Sequence, residues 1–206
     1  EADIGEVYVA TEDKEILDDV QLNGGKAILT SNKHKTGSDR IYECYERLDL
    51  KNIEYIVNLQ GDEPNIDIND LRHLKNLILA NKTEIGTLAA KIEDQSKIND
   101  ENIVKVITDK KITNENFTTA IDFKRKLKDL NLNIYHHIGI YAYKPEILKK
   151  LIKLKQTDNE IKNRLEQLRA MENGIKINVG LAKFCPIGVD TMEDYLALKK
   201  KLEYNS

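Results

Sequence analysis

The chain has 206 residues, 40% of them hydrophobic and 33% charged, with a formal net charge of -3 and a pI near 5.9. That length buries one good core and fits a single domain over 1–206 with an elaboration, while the mild acidity gives no general attraction to nucleic acid or an anionic membrane surface. The lysines alternate with acidic residues as a solvated face, no apolar run reaches bilayer length and no signal-like segment opens the chain, and Cys44 and Cys185 stand far apart outside any CxxC pair, as small core thiols of a reduced, cytoplasmic protein.

Strand and helix signals alternate through the first hundred residues. Val7 to Ala10 reads as a short buried strand, and Ile16, Leu17 and Val20 recur at helical spacing until Gly24-Gly25 stops the helix. Ala27 to Thr30 is a second strand, followed by a polar loop from Ser31 to Gly37. Ser38 or Asp39 caps a helix that carries Ile41, Cys44, Tyr45 and Leu48 on one face. Tyr55 to Leu59 is the third strand, and Leu71, Leu74, Leu77 and Ile78 mark the next helix. This rhythm predicts an α/β fold with a mainly parallel sheet flanked by helices.

The second half is less regular. Gly86 to Ile92 and Ile103 to Thr108 read as strands, and Lys110 to Asn133 is polar and helix-leaning. Tyr135 to Tyr143 is a tyrosine-rich strand ended by Pro145, with an amphipathic helix through Ile147, Leu148, Leu151 and Ile152. Glu160 to Asn173 reads as one helix, Ile175 to Ala182 as a strand, and Thr191 with Asp194 as the capping box of a last helix. The stretch Tyr135 to Leu154 is apolar enough for either a homodimer face or a buried core.

The run Asn58-Leu59-Gln60-Gly61-Asp62-Glu63-Pro64 places two carboxylates and a proline directly after an apolar strand. In open α/β sheets the carboxyl ends of the strands are where ligands bind. Oxygen ligands with no His or Cys beside them suit magnesium, which usually arrives with phosphates. On spacing alone Asp62 is equally a turn residue or helix cap, and Asp190 equally an extra cap beside Thr191. Lys35 to Arg40 offers amides beside Gly37, a hydroxyl on Ser38 and a guanidinium on Arg40 for a nucleotide's base, ribose or phosphates; the plain alternative is a helix cap with Arg40 paired to Asp39 or Glu43. His136 and His137 alternate across a strand, so only one of them faces a given cleft. Glu166 and Gln167 are either surface polarity or ligand contacts.

Three constellations, His34-Lys35-Thr36-Gly37-Ser38-Asp39-Arg40, Gln60-Gly61-Asp62-Glu63-Pro64 and Gly188-Val189-Asp190-Thr191, resemble the nucleotide loop and two metal loops of the CMP-Kdo synthetases, the 3-deoxy-manno-octulosonate cytidylyltransferases. His137-Ile138-Gly139-Ile140-Tyr141 and Leu165-Glu166-Gln167-Leu168-Arg169 match that family's sugar-binding segments in the same chain order, and Val9-Ala10-Thr11 also fits, so the resemblance spans about residues 5 to 200. It implies a Rossmann-like nucleotide-diphospho-sugar transferase fold and the reaction of CTP with Kdo to CMP-Kdo and diphosphate, a step of lipopolysaccharide biosynthesis. It further implies Mg²⁺ on Asp62 and Asp190 as the catalytic centre, and CTP contacts from Thr36, Gly37, Ser38, Arg40, Gly61 and Asp62. Sugar contacts fall to Gln60, His137, Tyr141, Glu166 and Gln167, with His137 donating to hydroxyls or carboxylate, and a homodimer is implied whose interface and sugar-binding elaboration lie around 110–170.

The sequence departs from the family's pattern in two places. A first strand and an Arg- and Lys-bearing triphosphate loop have no counterpart before Glu1, so about 40 residues are expected to be missing, from the usual length of such elements. The Phe-Ser-Arg segment expected after Val104-Lys105-Val106 is replaced by Phe117 to Arg125. Two other readings stand beside the first: a CMP-sialic acid synthetase of the same fold and chemistry, and a truncated, non-catalytic fragment that serves as a binding or dimerising module.

Overall fold

The computed structural model describes residues 2–94, 96–127, 133–186, 188–189 and 191–203. In chain order the first half runs β1 (Val9–Thr11), α1 (Lys14–Leu22), β2 (Ala27–Leu29), α2 (Gly37–Leu48), β3 (Ile56–Leu59), α3 (Ile68–Asn81), β4 (Ile85–Ala90) and a single turn α4 (Ser96–Asn99). The second half runs β5 (Lys105–Thr108), β6 (Thr118–Lys124), β7 (Asn133–Tyr143), α5 (Pro145–Lys153), α6 (Asp158–Asn163), α7 (Gln167–Glu172), β8 (Ile177–Leu181) and α8 (Met192–Glu203).

Two sheets result. Strands β1 and β2 pair in parallel, and six strands form the order β3-β7-β4-β8-β6-β5. Strand β5 also pairs with the first residues of β7, so β7, β4, β8, β6 and β5 form a closed circuit of hydrogen bonds. The α/β class stands, but the predicted mainly parallel pairing is corrected: among the described residues only β1–β2 and β4–β8 are parallel, and the other pairings are antiparallel. The cause is β7, which enters between β3 and β4 in the opposite sense. The link from β5 to β6 also carries no helix, and a parallel connection needs a crossover of a dozen residues or more.

Both faces of the large sheet are buried. On β4, Ile85 and Ala89 face one core with Tyr141, Tyr143, Leu148 and Leu168, while Leu88 and Ala90 face the other with Leu74, Ile78, Ile138 and Ile140. Every residue of β4 is buried, which is why its sequence reads as a continuous apolar run with no alternation. Helix α3 lies close on the second face because Gly86 and Gly180 have no side chain. A Cβ at either would stand 2.6 Å from Ile78 Cγ2 or Leu77 Cδ1, respectively.

Three local expectations change. The helix-leaning 110–133 segment contains β6, whose burial alternates along Thr118 to Lys124. The cap of α2 is Thr36, whose Oγ1 accepts from Asp39 N, and not Ser38 or Asp39. The single helix from Glu160 to Asn173 is two, because Arg164 adopts the left-handed conformation (φ 53°) and Leu165 N donates back to Glu160 O at 3.1 Å, the six-to-one bond that ends a helix.

A buried ion pair locks that break. Arg169 Nε donates to Glu160 Oε2 at 2.9 Å and Nη2 to Oε1 at 2.5 Å, with both side chains almost wholly buried. Burial pushes the Glu160 carboxyl up, but the Arg169 and Gln156 hydrogen bonds and the guanidinium charge outweigh it, and the group lies below the ordinary range. The tyrosine-rich stretch resolves in favour of its buried reading: Tyr135, Tyr141, Tyr143, Leu148 and Leu151 belong to this chain's own core, so they offer no dimer face.

Candidate active site

The strand β3 ends in a tight turn. Gln60 O accepts from Glu63 N at 3.1 Å, which leaves Gly61 and Asp62 at the tip and Asp62 exposed. The Asp62 carbonyl accepts from Val189 N at 2.8 Å, and Gly188 lies against the same oxygen. Two loops far apart in sequence therefore run side by side at this point. Asp190, the second expected acid, lies outside the described residues. The incoming loop is braced from α3, where buried Asp70 accepts from Lys183 N at 3.0 Å; burial pushes the Asp70 carboxyl up against the opposing backbone N–H. Past the loop, Thr191 and Asp194 form the reciprocal capping box at the start of α8.

Strand β7 supplies the next wall. His137 stacks edge-on to Phe123 and lies 5.3 Å from the Tyr141 ring, while Gly139 opens towards Gln60 and Glu63. Buried Thr87 fixes the imidazole. Its single hydroxyl proton is committed to Ile140 O at 2.6 Å, so His137 Nε2, 3.1 Å away, carries the proton and donates to Thr87 Oγ1. The tautomer assigned in this way leaves Nδ1 as an acceptor, which corrects the expectation that His137 donates to a sugar. His136 points to the opposite face, where its Nδ1 stands 3.1 Å from Cys185 Sγ. Both histidines nevertheless border the cleft, because it wraps past the end of the sheet.

The third wall is the break between α6 and α7. Glu166 is the residue before α7 and faces Thr36 and Ser38 at the N-terminus of α2, with Arg169 Nη2 3.7 Å from its Oε1. Burial pushes the Glu166 carboxyl up, against the lowering pull of Ser38, Thr36 and Arg169. Ser38 Oγ sits close enough to the Glu166 carboxylate and the Tyr143 hydroxyl to influence both, yet it completes a well-formed hydrogen bond with neither. Ser38 Oγ, Tyr141 Oη and Glu166 Oε1 are all buried with no hydrogen-bond partner of good geometry. Each such group costs about 1–3 kcal/mol when its hydrogen bonds are unmet, so the three atoms, with the Arg169 guanidinium 3.7 Å from Glu166 Oε1, have hydrogen-bonding capacity to offer a polar ligand.

These walls enclose a cleft of about 1530 Å³ that brings together Gln60, Asp62, His137, Tyr141, Glu166 and Gln167. The nucleotide loop is not in its lining. Gly37 abuts Asn58 of the cleft wall, at 3.7 Å from its Nδ2 for a built Cβ, and Thr36 and Ser38 reach the cleft through Glu166. Gly61 sits between the lining residues Gln60 and Asp62. Arg40 is held away from the cleft: its guanidinium bonds Thr30 Oγ1 at 2.7 Å and pairs with Glu12, and not with Asp39 or Glu43.

Four supporting residues escaped the sequence reading. Thr87 orients His137, Asp70 braces the second loop and Arg169 sits behind Glu166. Buried Lys105 donates to the carbonyls of Asp100, Ile103 and Arg125 and so fixes the loop at the cleft's far rim. Only Arg169 carried a signal, as part of the Leu165 to Arg169 motif; the others need the fold to reveal their partners.

The two histidines make stability acid-sensitive. Burial and then the charge of His136 pull His137 down to about 3, and burial, Lys97 and Lys105, opposed by Asp100, pull His136 down to about 4, from an ordinary 6.5. Below about pH 6.5 the unfolded chain binds protons that the folded one refuses. The stability contributed by the neutral rings is complete above that pH and drains at about 1.4 kcal/mol per pH unit for each histidine as pH falls towards 4. Urea unfolding at a series of pH values is expected to give a shallower acid limb for His137→Gln than for the parent chain, and parallel limbs would contradict the assignment.

Comparison with known proteins agrees with this geometry. Residues 2–177 match a family model described as Cytidylyltransferase. The 3-deoxy-manno-octulosonate cytidylyltransferase of Thermodesulfovibrio yellowstonii is 43% identical over 97% of this chain and 82% of its own length, and that of Bartonella tribocorum is 38% identical over 98% and 83%. A solved CMP:2-keto-3-deoxy-manno-octonic acid synthetase complexed with CTP superposes with a TM-score of 0.87 at 29% identity, over 98% of this chain and 83% of that one. The fold extends to 4-diphosphocytidyl-2C-methyl-D-erythritol synthase of Anaerococcus prevotii, with a TM-score of 0.57 at 18% identity over 96% of this chain and 81% of that one. The chain belongs to the 3-deoxy-manno-octulosonate cytidylyltransferase family.

Proposed function

We propose that this chain is a nucleotidyltransferase that activates the sugar acid Kdo with CTP. The anomeric hydroxyl oxygen bonds to the α-phosphorus, the bond from that phosphorus to the bridging oxygen of the β-phosphate breaks, and the products are CMP-Kdo and diphosphate. The observation that carries this reading is the convergence of the Gln60-Gly61-Asp62 turn, the His137 and Tyr141 face, Glu166 with Gln167, and the Gly188-Val189 loop around one cleft, in a chain 43% identical to a named Kdo cytidylyltransferase.

Each wall has a task in this reading. His137, neutral and clamped by Thr87, accepts a hydrogen bond from a sugar hydroxyl at Nδ1. Tyr141 Oη, Glu166 and Gln167 take further hydroxyls, and Gln60 Nε2 donates to the sugar acid. The N-terminus of α2, from Thr36 through Ser38, takes the cytidine end, although Arg40 is spent on Glu12 and Thr30 and does not join it. The donor set at the two adjoining loops is hard oxygen, which fits a magnesium ion held by Asp62 and Asp190. When bound, that ion supplies charge screening between triphosphate and carboxylate and lowers the pKa of the attacking hydroxyl.

A place in lipopolysaccharide biosynthesis and in the cytoplasm is part of the same reading, supported by the substrate and by the free thiols of Cys44 and Cys185; among the described residues no helix is long and apolar enough to cross a membrane. A homodimer is part of the reading through the 110–170 elaboration, where Ile121 and Ile161 are 52% and 57% exposed and offer apolar surface to a second copy. Light scattering at micromolar concentration is expected to give twice the 23.6 kDa chain mass; a monomer would reject that assembly.

Diphosphate release from CTP with magnesium is expected with Kdo and not with N-acetylneuraminate. Asp62→Ala is expected to lower kcat by about 100-fold or more with an unchanged unfolding midpoint, because Asp62 is exposed and outside both cores. Release with N-acetylneuraminate alone would favour the CMP-sialic acid synthetase reading, absence of CTP binding would favour a non-catalytic module, and near-parental turnover in the variant would remove Asp62 from the metal site.

A further inference from the structure

Glu166 stands between the start of α2 and the Tyr141 wall of β7, beside a second path that runs from Ser38 through Tyr143, whose ring stacks on Tyr141. On one side its carboxylate lies close to Ser38 and Thr36, at the start of the twelve-residue helix α2, without completing a well-formed hydrogen bond to Ser38 Oγ. On the other it lies within electrostatic reach of the Tyr141 hydroxyl, deep in the β7 wall. Arg169, anchored to Glu160, approaches from behind and prevents retreat. Within this bridge three polar atoms are buried and orphaned: Ser38 Oγ, with the residue 0% exposed, Glu166 Oε1, and Tyr141 Oη, with the residue 6% exposed.

We propose that Glu166 is a positioning residue that couples the sugar subsite to the nucleotide subsite. This rests on the function proposed above and goes beyond it, since it assigns to one carboxylate the communication between two ligands. A sugar hydroxyl that donates to Glu166 Oε1 and accepts from Tyr141 Oη removes the orphaned state of both. The carboxylate, held at one oxygen, then turns its other oxygen onto the Ser38 amide and hydroxyl, and the first turn of α2 is fixed in the form that receives cytidine. The reverse holds by linkage: cytidine on the helix N-terminus fixes Ser38, and Ser38 fixes Glu166 for the sugar. Burial makes the bridge effective, because a hydrogen bond to a carboxylate shielded from water is strong and costly to misalign.

The test is a pair of equilibrium titrations of cytidine, which has no phosphate to repel the sugar acid and permits no turnover, with and without saturating Kdo. In the parent chain Kdo is expected to lower the cytidine Kd by about fivefold or more, the lower end of ordinary coupling. In Glu166→Gln and in Ser38→Ala the ratio of the two Kd values is expected to fall below about twofold. If Glu166 only holds the fold, both Kd values rise together and the ratio survives, which would overturn the proposal; an unchanged Kd in the parent chain would do the same. Failure of both cytidine and CTP to bind the parent chain would defeat the functional reading itself, a result distinct from binding without coupling.

Discussion

One backbone hydrogen bond organises the β3 end of the cleft: Val189 N–H donating to Asp62 O at 2.8 Å. It joins a turn at the end of β3 to a loop after β8, and it works only because each partner is held from elsewhere. Asp62 is aimed by the Gln60 to Glu63 turn, so its carbonyl is directed and its side chain left exposed. The Val189 loop is steered by Asp70 on α3 and stopped by the capping box of α8. Helix α3 in turn packs close on the sheet over Gly86 and Gly180, where a Cβ would crowd it. A contact of two backbone atoms thus depends on two glycines and a buried carboxylate in a different layer.

The Glu166 side of the cleft is built by a different device, the interruption of a helix. A continuous helix from Glu160 to Asn173 would carry Glu166 at a phase set by the helix alone. The left-handed Arg164 instead restarts the helix at Gln167 and leaves Glu166 at its mouth, while the Glu160–Arg169 pair holds the two pieces together. A buried ion pair of this kind is weak evidence for stability, since desolvation offsets much of its Coulomb attraction. Its value here is geometric: it sets where Glu166 stands relative to Ser38 and Tyr141.

Most helices and the central strands were legible in the sequence, because apolar spacing, Gly24, Pro145, Gly174 and the Thr191 to Asp194 box are local signals with local causes. The antiparallel pairing was not, since β7 is buried largely on both faces, and such a strand carries no mark of direction in its sequence. The strand at Thr118 to Lys124 was obscured by polar residues that suit its half-exposed face. Gln60, Asp62, His137, Tyr141, Glu166 and Gln167, which line one cleft, could be named from motifs. Thr87 and Asp70 could not, because each acts through a partner tens of residues away, and Lys105 could not, because its role depends on loop carbonyls that only the fold gathers around it. The Arg40 pairing with Glu12 and Thr30 was not legible, because a loop arginine beside Gly-Ser suits a phosphate as well as it suits Glu12, and only the fold places Glu12 within reach.

The proposal that the two loops converge on one cation and one nucleotide is tested directly by replacing magnesium with paramagnetic Mn²⁺ in the presence of CTP and following the backbone amide signals. Loss of the signals of Gly61, Asp62, Gly188 and Val189 together, while amides of α5 persist, is the predicted result. Broadening confined to one of the two loops, or centred elsewhere in the chain, would contradict it.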